Sequence, residues 1–429
     1  MSRIHSFGPK KETMTQNELF SQVIGVEKPW FINEIQVTEE ELTIKIDFER
    51  GAKFYYEDDQ SGIKGSYGAY DTEVKKWRHL NFFQYPCFLE ARVPRIKTPD
   101  GKIRIVSTPW EGKANGFSML FEAFVMQFAR VLTVHSLSKL CGTYDKKIWD
   151  LLEKYVDAVR EQEDYSKVTK VGMDETSCHK GHSYITTFVD LEERRTVYVT
   201  EGRDSDTVEA FAQELKEHGG DPEQVKQVSC DMSPAFIKGA ADYLPQAEVV
   251  FDKFHLVQVV NKAVDEVRKE EVKANPILKG AKYIFLKNQE NLSEKQAEQL
   301  EGIKMSKLNL KTCKALQLRE TFQQIYEAKT QNSFELLLKK WYFWATHCRV
   351  EQIRACAGTI KRHWTGVINW FRTKINNGIL EGFNSLFQAA KAKARGYKLT
   401  KTIMTVIYIL TGKLNFSVVN PFCVTHPIL

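Results

Sequence analysis

Hydrophobic positions along the chain change their period several times, and the changes mark out its parts. After a polar lead through residue 30 that holds one short helix near 17–24, the stretch 37–48 settles into apolar–polar alternation and predicts a strand. Residues 51–71, rich in Gly, Asp and Tyr, predict a loop or loose hairpin. Two more strand-like runs, 77–85 and 87–96, precede the turn Thr98-Pro-Asp-Gly, so a small β module over 31–112 is the economical reading. From Ser118 the period turns helical, with Leu120, Phe121, Phe124, Val125, Phe128 and Val131 at spacings of three and four. Residues 133–152 then read as a short helix, a turn at Gly142 and a second helix, the plan of a helix-turn-helix held by Leu137, Leu140, Ile148, Leu151 and Leu152. That plan would turn Tyr144, Lys146, Lys147 and Trp149 towards a groove or its phosphates; a plain helical hairpin fits the same pattern.

Further on, strands are predicted at 168–174, 184–190, 196–200, 225–230 and 248–251. A helix at 207–218, capped by Asp204 or Ser205, and another entered through Ser233-Pro234 lie between them. A three-strand meander followed by helix, strand, helix, strand is the order of an RNase H-like core. Residues 254–348 read as helical throughout, with 277–306 as a charged helical hairpin. Across 378–395, Leu380, Phe383, Phe387, Ala390 and Ala394 form one stripe, and Glu381, Asn384, Ser385, Gln388 and Arg395 the opposite, polar face.

Composition adds limits. A chain of 429 residues, 42% hydrophobic and 27% charged, suits two or three soluble globular domains. It shows no apolar leader core and no run long enough for a membrane span, so a cytoplasmic protein without a membrane partner is expected. Eight scattered cysteines form no C-x-x-C pair, which argues for reduced, mostly buried thiols. Charge is uneven. From Ile353 onward there are eleven Lys and Arg and one acid, Glu381, an excess of ten positive charges in a chain whose total is +6. A single carboxylate inside a basic, aromatic-rich segment points to a polyanionic partner beside an acid with chemical work to do.

Two more acids stand out: Asp174, ending the apolar run Lys-Val-Gly-Met, and Asp231, between a strand and the helix opened by Ser233-Pro234. Each alone has an ordinary explanation, as a turn former or a solvated residue. Together with Glu381 they match the needs of phosphodiester chemistry, where carboxylates on rigid elements hold two divalent ions about 4 Å apart. Glu175 is set aside because strand neighbours point to opposite faces. His179 and His182 form a loop pair without a partner, more in keeping with a structural role.

The chain resembles the DDE transposases of bacterial insertion sequences, ISL-three family. The resemblance is carried by Ile46-Asp-Phe-Glu-Arg-Gly-Ala, Trp77-Arg-His-Leu-Asn-Phe-Phe-Gln-Tyr-Pro-Cys, Ala91-Arg-Val-Pro-Arg, Gly172-Met-Asp-Glu, Lys180-Gly-His-Ser-Tyr, Cys230-Asp-Met-Ser, Val250-Phe-Asp-Lys-Phe-His, Leu380-Glu-Gly-Phe-Asn-Ser and Ala390-Lys-Ala-Lys-Ala-Arg-Gly-Tyr. It implies that Asp174, Asp231 and Glu381 are the catalytic, metal-binding triad, using two Mg²⁺ ions with Mn²⁺ as a possible substitute. Asp252 and His255 are then structural residues near the site. The implied substrate is double-stranded DNA, both element ends and target, handled by a homodimer or higher homo-oligomer. Lys146, Lys147, Lys391, Lys393, Arg395 and Lys398 are the candidate DNA contacts.

The expected architecture is α+β and multidomain. It comprises an N-terminal β module over 1–115, a helix-turn-helix over 116–162, and an RNase H-like catalytic domain over 163–429 with a helical insertion about 253–350. A catalytically inactive DNA-binding derivative and an RNase H-like nuclease are the alternatives. In one respect the chain departs from the family pattern. The resemblance implies a small zinc module near the N-terminus, yet neither the region after Gly51-Ala-Lys-Phe nor that around Ile96-Lys-Thr-Pro-Asp-Gly offers a cysteine. The module is therefore expected to be a degenerate, zinc-ribbon-like β unit. Elemental analysis of the purified protein should find no stoichiometric zinc; one zinc per chain would refute this.

Overall fold

The computed structural model describes residues 15–58, 61–178, 183–305, 309–373 and 378–423. The chain divides into two compact units, residues 1–161 together with 414–429, and residues 162–413. The closing stretch from Leu414 thus groups with the first unit, whereas the sequence reading kept it with the domain preceding it.

The first unit begins with α1 (Gln16–Ile24), whose N-cap Thr15 forms a capping box with Glu18. Seven strands follow: β1 (Trp30–Val37), β2 (Leu42–Phe48), β3 (Lys53–Asp58), β4 (Ile63–Gly68), β5 (Asp71–Phe82), β6 (Tyr85–Lys97) and β7 (Ile103–Ile105). The main sheet runs β1-β2-β6-β5 with β7 also on β6, while β3 and β4 form a separate hairpin where a loop or loose hairpin was expected. Inward residues of the sheet, among them Trp30, Ile44, Ile46, Trp77, Leu89 and Val93, build one core with Trp110. Strand β1 escaped the sequence reading because a register shift between Ile32 and Glu34 breaks its alternation. Cys87 lies in this core, and burial pushes its thiol up to about 11, the behaviour of a packing residue.

Three helices complete the unit: α2 (Met119–Ala129), α3 (Val134–Cys141) and α4 (Asp145–Arg160). Gly142 ends α3 at φ 61°, a left-handed cap that most side chains would strain. Leu137, Ile148, Leu151 and Leu152 are buried as the pattern required, but Leu140 is exposed. Beneath them Glu122 is fully buried. It accepts N–H from Lys113 (2.8 Å) and Ala114 (2.6 Å) and the Tyr155 hydroxyl (2.6 Å). Asn420, from the closing stretch, donates to Tyr155 Oη (2.8 Å) and to the Met119 carbonyl (2.7 Å).

The second unit holds β8 (Lys170–Ser177), β9 (Tyr184–Asp190), β10 (Arg195–Glu201), α5 (Ser205–Glu217), β11 (Gln227–Cys230), α6 (Pro234–Tyr243) and β12 (Glu248–Phe251). The sheet order is β10-β9-β8-β11-β12. Strands β8, β9 and β10 are antiparallel neighbours, and β11 is parallel to both β8 and β12. Then come α7 (Lys253–Glu271), α8 (Lys282–Leu286), α9 (Glu294–Met305), α10 (Lys311–Ile325), α11 (Gln331–His347), α12 (Glu351–Arg362), α13 (Trp364–Thr373), α14 (Gly378–Lys393) and α15 (Thr400–Thr411). Residues 277–306 do not form the expected hairpin. Gly280, at φ 76°, precedes a single turn of α8, and its end carbonyls at Leu286 and Lys287 are taken by the buried Arg319 guanidinium. Helix α15 packs on β10, where the Tyr408 hydroxyl accepts the Val199 N–H at 2.9 Å. Helix α14 lies on β8. Its Leu380 methyls would come within 3.0 and 3.1 Å of a Cβ at Gly172, and Leu191 within 2.9 Å.

Two expectations follow. His79 is buried against Ser118 Oγ (2.7 Å), and burial, then Arg78, lower its pKa from 6.5 to about 4. The unfolded chain takes up that proton first as pH falls, so stability should drop by roughly 3 kcal/mol between pH 6.5 and 4 and level off below. Denaturation of wild type and His79→Gln across that range checks this; the difference between them should carry the slope. Separately, Gly172→Val should overpack α14 against β8 and cost about 1–3 kcal/mol, read as a lowered thermal midpoint.

Candidate active site

Three acids stand at one level of the second sheet, Asp174 inside β8 and Asp231 and Asp252 just past the ends of β11 and β12. Gly172 pairs with Ser229, and Cys230 with Phe251. Two residues beyond the first pair stand Asp174 and Asp231; one residue beyond the second stand Asp231 and Asp252. Asp231 and Asp252 thus lie at the carboxyl ends of parallel neighbours, where open α/β sheets bind ligands, while Asp174 does not end its strand as the apolar run predicts, because β8 continues on β9 to Ser177.

Their surroundings differ. Asp174 is half-buried, and burial pushes its carboxyl up to about 6. The charge of Asp231 pushes the same way, while His255 and hydrogen bonds from the Glu175 N–H and Asn384 oppose. Glu175 is also raised, by burial and then by Asp231, with Arg203 opposing, so the field of Asp231 reaches both residues. Asp231 itself accepts the Ser233 N–H at 2.9 Å, an Asx turn leading into α6. It borders a cavity of about 530 Å³ with Met232, Ser233, His255, Gln258 and Lys262. Asp252 is buried and caps α7 by accepting the Phe254 N–H at 3.0 Å. His255 Nδ1 lies 3.8 Å from Asp252 Oδ2, and this buried nitrogen has no hydrogen-bond partner among the described residues.

Glu381 sits in the first turn of α14 with its side chain exposed. Among the described residues, no three His, Cys, Asp or Glu side chains converge closely enough to hold a metal ion. The charge of Asp231 acts on Asp174, and among the described residues Glu381 does not complete a cluster of three with them. What α14 does bring to Asp174 is Asn384, whose Nδ2 donates to Asp174 Oδ2 at 2.5 Å. The sequence reading placed Asn384 on the polar face of this helix without a role. Its spacing of one turn from Glu381 was the available signal.

The basic candidates fall in two places. Lys146 and Lys147 lie exposed in the first turn of α4, beside the exposed Tyr144, with Lys147 Nζ 5.8 Å from the Phe117 ring centroid. Lys391, Arg395 and Lys398 line a cavity of about 730 Å³ with Cys178, Gln388 and Tyr397, and Lys393 is exposed nearby on the last turn of α14. Lys391 Nζ also donates to the Ser177 carbonyl at 2.9 Å, fastening the end of α14 to the end of β8. His179 and His182 lie outside the described residues. Among the described residues no helix is long and apolar enough to cross a membrane.

The transposase for insertion sequence element IS1001 of Bordetella parapertussis is 25% identical over 77% of this chain and 82% of its own length. The transposase for IS1557 of Mycobacterium tuberculosis (strain CDC 1551 / Oshkosh) is 23% identical over 92% of this chain and 95% of its own. A solved structure of a simian T-cell lymphotropic virus intasome in complex with PP2A regulatory subunit B56 gamma aligns at 14% identity over 44% of this chain and 69% of that one. Its TM-score is 0.17, too low to inform the fold. A family model described as "Transposase", for the ISL-three group with a DDE site, matches residues 171–407, more than half the chain. The chain belongs to the ISL-three family of DDE transposases.

Proposed function

We propose that the second unit is an RNase H-like catalytic core in which Asp174, Asp231 and Glu381 serve as divalent-metal ligands for cutting and joining DNA at the ends of an insertion sequence. The observation that carries this reading is that Asp174 on β8 and Asp231 just past β11 stand at one level of parallel neighbours, with the Asp174 carboxyl raised by burial and by its fellow acid. A largely buried carboxylate in the field of a second acid is costly unless a cation offsets the charge. An oxygen donor set suits Mg²⁺, with Mn²⁺ able to replace it, better than a thiophilic metal. Bound there, such ions would neutralise charge on the scissile phosphate and favour attack by a water or a 3′-hydroxyl.

The protein's own groups have distinct tasks in this reading. Asp174, within β8, and Asp231, just past β11, hold the ligand oxygens on rigid elements, and α14 presents Glu381 from its first turn. Lys391, Lys393, Arg395 and Lys398 meet phosphates, which makes affinity fall with salt. Helices α3 and α4 act as a helix-turn-helix, with Lys146 and Lys147 on DNA, and with the β module they recognise the terminal inverted repeats. Two ends per reaction call for at least a dimer.

The test is a cleavage and strand-transfer assay on DNA carrying the element's ends, with Mg²⁺. Asp231→Asn should lose more than about 100-fold in both steps, beyond the range for residues that merely support a ligand, while end binding persists. Wild type and variant equally inactive, with both binding the ends, would favour a DNA-binding derivative. Cleavage without joining would favour a nuclease.

A further inference from the structure

The side-chain amide of Asn384 is held at both ends. Its Nδ2 donates to Asp174 Oδ2 (2.5 Å), and its Oδ1 accepts the Thr176 hydroxyl (2.5 Å). Asp174 and Thr176 are two residues apart on β8 and so share a face of the sheet. One turn earlier on α14, Leu380 fills the space left by the missing side chain of Gly172, two residues before Asp174 on that same face. The helix therefore meets the strand at successive points, Leu380 on Gly172, then Asn384 on Asp174 and Thr176. An apolar contact such as the first tolerates sliding and rotation. A two-ended amide does not, because a carboxylate only accepts and the amide can face it only with its nitrogen. The Thr176 hydroxyl, itself buried, fills the other end of the amide and so prevents it from flipping.

We infer that Asn384 is a positioning residue: bridging Asp174 and Thr176, it fixes both the Asp174 carboxylate and the rotation of the helix that carries Glu381. The inference rests on the proposed metal-dependent reading of Asp174, Asp231 and Glu381. Asn384 is not a ligand in this account. With the Glu175 N–H on Oδ1 (2.8 Å) and the Asn384 N–H on Oδ2, both Asp174 oxygens are anchored, each keeping a lone pair for a cation. Supporting groups of this kind are worth about 10–100-fold in metal affinity or activity.

The experiment uses the full-length protein and Mn²⁺ itself as the probe. Bound Mn²⁺ is titrated by electron paramagnetic resonance for wild type, Asn384→Ala, Thr176→Val and the double variant, alongside end binding, thermal midpoint and cleavage. Asn384→Ala should weaken Mn²⁺ binding about 10–100-fold and slow cleavage while end binding stays within about twofold. Thr176→Val, which touches neither Asp174 nor any ligand, should weaken Mn²⁺ binding less, and should add nothing once Asn384 is already Ala. If Asn384→Ala fails to fold, Thr176→Val with Asn384→Ser in its place supplies the same cycle. A wild type that binds Mn²⁺ together with an Asn384→Ala variant that binds it as tightly overturns the assignment of Asn384 alone. So do equal effects of Thr176→Val in both backgrounds. A wild type with no Mn²⁺ site overturns the metal reading, and this inference with it.

Discussion

Two short ladders, Gln227–Ser229 against Lys170–Gly172 and Gln227–Cys230 against Glu248–Phe251, set three carboxylates at one level of the sheet. Parallel pairing of this kind cannot be closed by a tight turn and requires a crossover connection. The crossover between β11 and β12 is α6, which starts three residues after Asp231. The segment leaving β12 is α7, capped by Asp252. The same geometry that aligns the acids thus also places a helix entrance beside two of them. Backbone N–H groups at Ser233 and Phe254 occupy one oxygen each of Asp231 and Asp252. Asp252 is buried and caps α7, while Asp231 borders an open cavity, so two acids at one height differ in that one is covered and the other is not.

The first unit is held differently. Its sheet buries a conventional apolar core, but its helices close over a polar centre, the Glu122 carboxylate with three donors and the Tyr155 hydroxyl tied in turn to Asn420. Burial raises the Glu122 pKa, and the hydrogen bonds pull it back. Removing any partner would leave a buried acceptor unmet, a penalty of about 1–3 kcal/mol. The last described residues of the chain thus have a specific task in the unit where the chain begins.

Much of this was legible because it follows from local periodicity. The five strands of the second unit, the helix entrances at Ser233-Pro234 and Asp204, and the turn at Gly142 are all governed by neighbours in sequence. What escaped was set by distant partners. Strand β1 hides behind a bulge, and 277–306 breaks up because Arg319, from α10, takes the carbonyls that end α8. The site divides in the same way. Strand positions for Asp174 and Asp231 could be read from apolar runs ending in an acid. The pairing of Asn384 with Asp174 spans 210 residues and leaves no trace in either segment alone.

An acid in the first turn of a helix and lysines in its last are both favoured by the helix dipole, each by about 0.3–1 kcal/mol. Glu381, Lys391 and Lys393 occupy those positions on α14. Their charges would thus be accommodated whether or not the helix has any chemical part. Stability cannot distinguish the two cases, since the dipole contribution is the same in both. Asn384 is different, because an amide at mid-helix gains nothing from the dipole and has poor helix propensity compared with Ala. It stands against that local preference, and what it gains there is the bridge from Thr176 to Asp174. The strongest structural tie between α14 and the proposed site is therefore this neutral amide, one turn beyond the acid that drew attention to the helix.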